Sequence, residues 1–413
     1  MKNYEEFCTK FVQKVGNKEG AVSPALINSA SFAYGTAQTA EGIFDGSVKK
    51  PLYSRMGNPT SAKLETIMAE MDGGVGAVAT SSGMGAITLA TMSIVSMGDE
   101  IISIGGLFGG TYALFSETLT RFGIKTNFFD VDEIKEIKEA INDKTKIIFL
   151  ESVGNPNMRL PDIKQIAKIA NDKGVIFMVD NTITPLCVSP LKLGADISIY
   201  STTKIISGNS SALGGCAVFR AIKDNDKLNS SRYPFLAKFI KGVGKIALIA
   251  NAKKRALRDF GMSANANASY QTMLGLETLP LRLSRVSNSV EIIVLALNKA
   301  ELNINHPSLK EHPHNKRYLN DFKDGCGTLF TIDMLSKEKA FNFLNKTKLA
   351  TLTANIGDSR TLALHMASTI YADFDEPAKD FLGISEGLIR ISIGLENPQD
   401  IIDDFIQAAQ QGI

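Results

Sequence analysis

From Gly74 onward the chain alternates short apolar runs with longer helical stretches, and this alternation limits its fold more than any other feature. VGAVAT (75–80) precedes a helical stretch to about Ser96, and EIISI (100–104) precedes one ending near Phe122. IKTNFFD (124–130) precedes the amphipathic DEIKEIKEAIND, and TKIIFLE (145–151) precedes IKQIAKIANDKG. VIFMVD (175–180) and DISIYS (196–201) follow. The runs are apolar nearly throughout, as strands buried on both faces are. Such a βαβα succession predicts an α/β fold with a mostly parallel central sheet flanked by helices. Residues 1–60 show no period and are broken by Pro24, Pro51, Gly57 and Pro59. Periodicity weakens from Phe219 to Gly244, a helical stretch covers roughly Lys245 to Leu257, and SANANAS (263–269) reads as a loop. Beyond Gly275, helices mix with strands such as GTLFTIDML (327–335) and LIRISIG (388–394), which predicts a smaller C-terminal α+β domain. The expected partition is an extended segment 1–60, a main domain 61–257 and a C-terminal domain 258–413.

Composition removes several function classes. Hydrophobic residues make 44% and charged residues 21%, which excludes a disordered chain. Lys and Arg total 45 against 43 Asp and Glu, so no global charge draws the chain to nucleic acid or to an anionic membrane. The longest markedly apolar stretch, Gly85 to Gly98, is too short to span a bilayer. The N-terminal MKNYEEFCTKFVQKVG lacks the apolar core of a secretory signal. Cys8, Cys187, Cys216 and Cys326 lie far apart with no CxxC pair, so neither a disulfide framework nor a zinc site is expected, and a reducing cytoplasm fits. Four histidines (His306, His312, His314, His365) are too few for a His-rich metal centre, and no metal is expected.

In open α/β sheets ligands bind beyond the carboxyl ends of the strands. SSGMGA (81–86) follows the first run, and its glycines are read equally as a phosphate cradle at a helix N-terminus or as a plain tight turn. A dinucleotide site is disfavoured, because Thr88 replaces the third glycine and Gly105-Gly106, not an acid, follow Ile104. A Walker loop is absent, since Ile246 follows Gly244-Lys245. Asp180 in VDNT (179–182) is either a helix cap or a group facing a polar ligand. Lys204 in YSTTK (200–204) is either solvated or a desolvated amine nucleophile, with Ser201 and Thr203 beside it as candidate phosphate donors. The combination says more than its parts. A phosphate turn, a strand-end acid and a strand-end lysine are what pyridoxal phosphate needs: donors for its phosphate, an anion for its ring nitrogen and an amine for its aldehyde.

At these residues the sequence resembles the Cys/Met-metabolism family of pyridoxal-phosphate enzymes, which share the aspartate-aminotransferase fold (fold type I). YSRMGNPT (53–60), GGTY (109–112), ESVGNP (151–156), GLETLPLR (275–282), NIGDSRTLALH (355–365) and LIRISIG (388–394) carry the likeness along nearly the whole chain. The resemblance implies pyridoxal 5'-phosphate as cofactor, with Lys204 as the imine-forming lysine and Asp180 as the partner of the pyridinium nitrogen. It implies Gly83 and Met84 as backbone phosphate donors, Ser201 and Thr203 as hydroxyl donors, and Asn155 as the partner of the ring hydroxyl. Tyr112 would stack on the ring and assist proton movement, making it catalytic beside Lys204. Arg390 would grip the substrate carboxylate, with Asn355 also on the substrate side. Tyr53 and Arg55, in the extended segment 1–60, would reach the phosphate of a neighbouring subunit, implying a homotetramer of dimers with shared active sites.

Within the family, NIGD (355–358) and GGTYALF (109–115) look most like the O-acetylhomoserine sulfhydrylase branch. That implies a γ-replacement on O-acetyl-L-homoserine with sulfide or methanethiol, giving homocysteine or methionine and acetate. Cystathionine γ-synthase or γ-lyase and methionine γ-lyase activities are the alternatives; methionine γ-lyases typically carry Cys at the position of Gly110. Tyr200, Met366, Ile370-Tyr371 and Val286 depart from the family's usual residues and bear on substrate fit. A nicotinamide oxidoreductase and a non-catalytic scaffold are the competing classes. Borohydride reduction of the yellow protein incubated with pyridoxal phosphate is expected to place the label on Lys204; a colourless, unlabelled chain would overturn the reading.

Overall fold

The computed structural model describes residues 6–7 and 20–411, so Cys8 and most of the first 19 residues lie outside the described residues. The six apolar runs form β1 (Gly76–Thr80), β2 (Glu100–Ile104), β3 (Lys125–Phe129), β4 (Thr145–Glu151), β5 (Ile176–Asp180) and β6 (Ile197–Tyr200). A seventh strand, β7 (Gly215–Phe219), joins them in the order β1-β7-β6-β5-β4-β2-β3. Strands β2 to β6 pair in parallel. Only β7 runs against its neighbours, β1 and β6. The sheet is therefore mostly parallel, as expected, with one antiparallel member that the sequence reading passed over. The five residues of GCAVF are all buried, so they show no alternation, and five residues are too few to reveal a period.

Helices α1 (Pro59–Asp72), α2 (Gly83–Met92), α3 (Gly109–Ala113), α4 (Ile163–Lys173) and α5 (Ala266–Lys299) position the site. Their starts follow from capping. Asn58 accepts the Thr60 N–H and Pro59 opens α1; Ser82 caps α2 and Asp162 caps α4. Phe115, Phe149, Phe177 and Phe219 are fully buried around the sheet, each contributing about 1.5–3 kcal/mol by leaving water.

SANANAS is a loop only in its first three residues. Ala266 to Ser269 form the first turn of α5, because the Asn265 side chain accepts the N–H groups of Asn267 and Ala268. Asn and Ser are poor helix formers, although Ala is the best; here the cap and the apolar stripe downstream carry the helix. Met273, Leu276, Leu279 and Leu283 pack with Leu64, Ile67 and Met68 of α1. Val286, Val290, Ile293 and Leu297 pack instead on the second sheet. That sheet comprises β8 (Ile304–Asn305), β9 (Leu329–Asp333), β10 (Thr351–Leu352), β11 (Leu362–His365) and β12 (Leu388–Ser392), ordered β10-β11-β12-β9-β8. One helix thus serves both cores. Among the described residues no helix is long and apolar enough to cross a membrane.

Gly275 is where α5 meets the loop after Lys204. A Cβ there would lie 2.4 Å from the Ser207 carbonyl oxygen and 2.7 Å from that of Ile206. Backbone cannot yield as a flexible side chain does, so Gly275→Ala should cost about 1–3 kcal/mol, read as a lowered melting temperature. An unchanged melt would show that α5 does not press on this loop.

Candidate active site

The ends of β1, β4, β5 and β6 open onto one pocket, where a mostly parallel sheet is expected to bind its ligand. Its volume is about 210 Å³, many times the roughly 10–15 Å³ one water needs. Gly83, Met84, Asn155, Asp180, Ser201, Thr203, Lys204 and Arg390 all line it. Residues up to 307 positions apart in the chain (390 − 83) thus share one wall.

One end of the pocket suits an anion. Ser82 accepts the Gly85 N–H at 3.0 Å and so starts α2 with its free N–H groups facing the pocket rim. A Cβ on Gly83 would sit 2.6 Å from the Ser201 Cβ, so only glycine leaves this cradle open. The Thr203 hydroxyl is committed elsewhere: it donates to the Gly214 carbonyl at 3.1 Å and accepts the Gly214 N–H at 3.0 Å. Ser201 is therefore the better hydroxyl donor of the pair.

The floor carries two carboxyls in register on adjacent strands, Glu151 of β4 and Asp180 of β5. Burial pushes Asp180 up to about 6 against hydrogen bonds from Thr182. Burial raises Glu151 well above the usual carboxylate range, and the charge on Asp180 raises it further. Of the two, Asp180 gives up its proton more readily, which suits a protonated ring nitrogen above it.

Two cations face this floor. Lys204 Nζ donates to Asn355 Oδ1 at 2.7 Å. Burial, and then the Arg390 charge, lower its amine to about 8. Arg390 sits in β12 and is 3% exposed. It donates to Asn155 Oδ1 at 3.1 Å and to the Ala354 carbonyl at 3.3 Å, and makes no ion pair among the described residues. A buried guanidinium without an acid calls for an anionic ligand.

Four expected residues are not on this wall: Asn355, which bonds Lys204 without lining the pocket, and Tyr112, Tyr53 and Arg55. Tyr112 packs its ring on Phe128, Phe374 and Phe381, with centroids 4.9, 5.6 and 6.2 Å away. The helical turn of α3 that carries it presents Thr111 to the pocket instead. The aromatic on the pocket wall is Phe108, held by its N–H donating to Glu151 Oε1 at 2.7 Å. Tyr53 is 45% exposed, and Arg55 Nη1 donates to the Arg258 carbonyl at 2.5 Å, both away from the pocket lining.

Phe108, Glu151 and Thr182 are the residues the sequence reading missed. Thr182 donates its N–H to Asp180 Oδ1 at 2.9 Å and its Oγ1 accepts the Ser201 N–H at 2.7 Å, tying the acid to the anion cradle. Glu151 and Thr182 stand at or just beyond a strand end in segments already singled out, so position was the available signal; Phe108 stands just before GGTY, outside the quoted motifs. Among the described residues no group of three or more His, Cys, Asp or Glu could hold a metal ion. The residues fit pyridoxal phosphate: N–H groups and the Ser201 hydroxyl at the cradle, Asp180 below, Asn155 at the side, and the Lys204 amine for the aldehyde.

The sequence pattern of the Cys/Met metabolism PLP-dependent enzyme family matches residues 8–410. The chain is 34% identical to an O-acetyl-L-homoserine sulfhydrylase of Leptospira meyeri, covering 93% of this chain and 91% of that protein. It is 31% identical to an L-methionine gamma-lyase of Fusobacterium nucleatum, covering 96% and 95%. A crystal structure from Campylobacter jejuni, assigned as an O-acetylhomoserine (thiol)-lyase, superposes with a TM-score of 0.93 at 31% identity over 98% of this chain and 99% of that one. It carries N'-pyridoxyl-lysine-5'-monophosphate in its chain.

Asp180 keeps its proton to about pH 6 when folded, whereas an unfolded Asp releases it near 3.9. The cofactor-free protein should therefore lose stability as pH rises from about 4 to about 6, by at most about 3 kcal/mol. Asp180→Asn escapes this loss. Without cofactor it should melt near the native chain at pH 4 and above it at pH 7.5; the same offset at both pH values would contradict the assignment.

Proposed function

We propose that this chain, which belongs to the Cys/Met-metabolism family of PLP-dependent enzymes, catalyses γ-replacement on O-acetyl-L-homoserine, with sulfide or methanethiol entering and acetate leaving. The observation that carries the reading is Arg390, a buried cation without an acid in the same pocket as the Lys204 amine. Its planar fork suits the carboxylate of an amino acid bound bidentately. Pyridoxal phosphate, when bound, supplies the electron sink that makes the hydrogens on the α and β carbons acidic.

The protein's own groups handle the protons. An amine near 8 is roughly one-quarter uncharged at pH 7.5, so Lys204 can take a hydrogen as amine and return it as ammonium. Phe108 has no hydroxyl and takes no part in this proton traffic. Acetate is a weak base and departs without a proton donor. Val153, Ile183, Leu213 and Ile356 make one side of the pocket apolar, which favours an aliphatic ester and a thiol over water.

The sulfhydrylase relative supports replacement, and the lyase relative favours elimination as the second reading. At Gly110, where methionine γ-lyases typically carry Cys, an added Cβ would lie 2.8 Å from the Phe108 ring and 3.4 Å from the Met84 sulfur. That crowding favours replacement. Exposed Tyr53 and Arg55 complete the phosphate end of a neighbouring subunit's site in a homotetramer of dimers, with 1–60 as the reaching segment, 61–257 as the cofactor domain and 258–413 as the C-terminal domain. In that partition α5 belongs to the last unit and packs on both.

Purified protein given O-acetylhomoserine and sulfide should form homocysteine without accumulating ammonia and 2-oxobutanoate; the keto acid alone would assign a lyase. Arg390→Lys should cost about 10- to 100-fold in kcat/KM, chiefly through KM for the amino-acid substrate.

A further inference from the structure

Ser210 occupies an unusual backbone position. It is one of six non-glycine residues with positive φ among the described residues, at 57°. Glycine adopts this conformation freely and serine does not. Held strain of this kind calls for a reason in the side chain. The Ser210 hydroxyl lies between the end of Asn355 and a carboxylate: Asn355 Nδ2 donates to Ser210 Oγ at 2.8 Å, and Ser210 Oγ donates to Asp358 Oδ2 at 2.5 Å.

The direction of every hydrogen in this chain is fixed from its far end. Asp358 is 3% exposed, and its Oδ1 accepts Arg360 Nε at 2.7 Å and the Arg360 N–H at 2.9 Å. Burial alone would raise this carboxyl, but the hydrogen bonds from Arg360 and Ser210 outweigh it and hold it below the usual range. An ionised carboxylate only accepts, so Ser210 must donate to it. Ser210 then has only lone pairs left for Asn355, which must turn its NH₂ toward the serine. The amide oxygen is thereby left facing Lys204 Nζ, at 2.7 Å.

We propose that Arg360, Asp358 and Ser210 form an orienting chain that locks the Asn355 amide with its oxygen toward Lys204, making Asn355 the positioning residue for the catalytic amine. The inference rests on Lys204 being the cofactor lysine. Asn355 also separates two like charges. Its side chain holds Lys204, while the adjoining Ala354 carbonyl accepts Arg390 at 3.3 Å. A tethered ammonium does not compete with Arg390 for the substrate carboxylate. The other charged groups around Lys204 lie outside the chain: Asp180, Glu151 and Arg390 on the pocket wall. Arg282 of α5 is held by the carbonyls of Ile205, Ile206 and Gly275. Arg282 also feels the Asp358 charge, so a change in Lys204 titration reports on the amide in Ser210→Gly, which alters no charge.

Ser210→Gly is the discriminating variant, because it removes the hydroxyl and also relieves the strained φ. The reactivity of Lys204 toward acetic anhydride would be followed by mass spectrometry from pH 6 to 10 on the full-length chain without cofactor. With pyridoxal phosphate added, the pH dependence of the cofactor absorbance would be read in parallel. The expected result is a melting temperature at or above that of the native chain, together with a Lys204 pKa lower by half a unit or more. That corresponds to about twofold faster acylation at pH 7.5. Asp358→Asn should act in the same direction, and Asn355→Asp should raise the Lys204 pKa. A Ser210→Gly chain that titrates and acylates like the native one would overturn the proposal. If instead borohydride fails to label Lys204 in the native chain, it is the cofactor assignment that falls.

Discussion

Two positive charges, Lys204 and Arg390, come to one pocket from two different sheets, and among the described residues neither has an ion pair there. Holding like charges together in a buried space is unfavourable: burial and then the Arg390 charge lower the Lys204 amine, and burial lowers Arg390. The fold meets the cost with neutral acceptors. Asn355 and Asn155 side chains and the Ala354 carbonyl receive the two cations without cancelling them. Both charges therefore remain available to a ligand that brings its own carboxylate and aldehyde. The chemistry of the site follows from that restraint.

The floor solves the converse problem. Glu151 and Asp180 lie side by side, and the charge on Asp180 makes Glu151 harder to ionise. Glu151 spends its Oε1 on the Phe108 N–H and so fixes the aromatic of the wall, while Asp180, hydrogen-bonded by Thr182, ionises first. One carboxyl sets shape and the other sets charge. The long helix α5 joins this arrangement to the second sheet, since its two halves belong to the two cores that meet at the pocket.

Much of this was legible in the chain. Six strands fall within a residue of their apolar runs, because strands buried on both faces must be apolar throughout and helices must intervene between parallel neighbours. Lys204, Asp180 and the Gly83 turn could be placed for the same reason, as each directly follows or ends such a strand. The errors have physical causes too. Strand β7 is short and wholly buried, so it carries no period. The start of α5 interleaves Ala with Asn and Ser, which read as a loop, and a cap and distant packing set it as helix. Tyr112 sat in a recognisable segment, but which of two nearby aromatics turns inward depends on helix phase and on Glu151, 43 residues beyond Phe108.

The order of apolar and amphipathic segments, with an amine, an acid and a glycine turn at strand ends, determined the fold class and pointed to the cofactor, because these depend on local pattern and on chain direction; the family came from the resemblance of the motifs. What the tertiary structure alone decided is the pairing across long separations: Lys204 with Asn355, Arg390 with Asn155, and Phe108 rather than Tyr112 on the wall. It also decided that burial raises both Glu151 and Asp180. Burial and hydrogen-bond direction are properties of the packed molecule, and no single segment contains them.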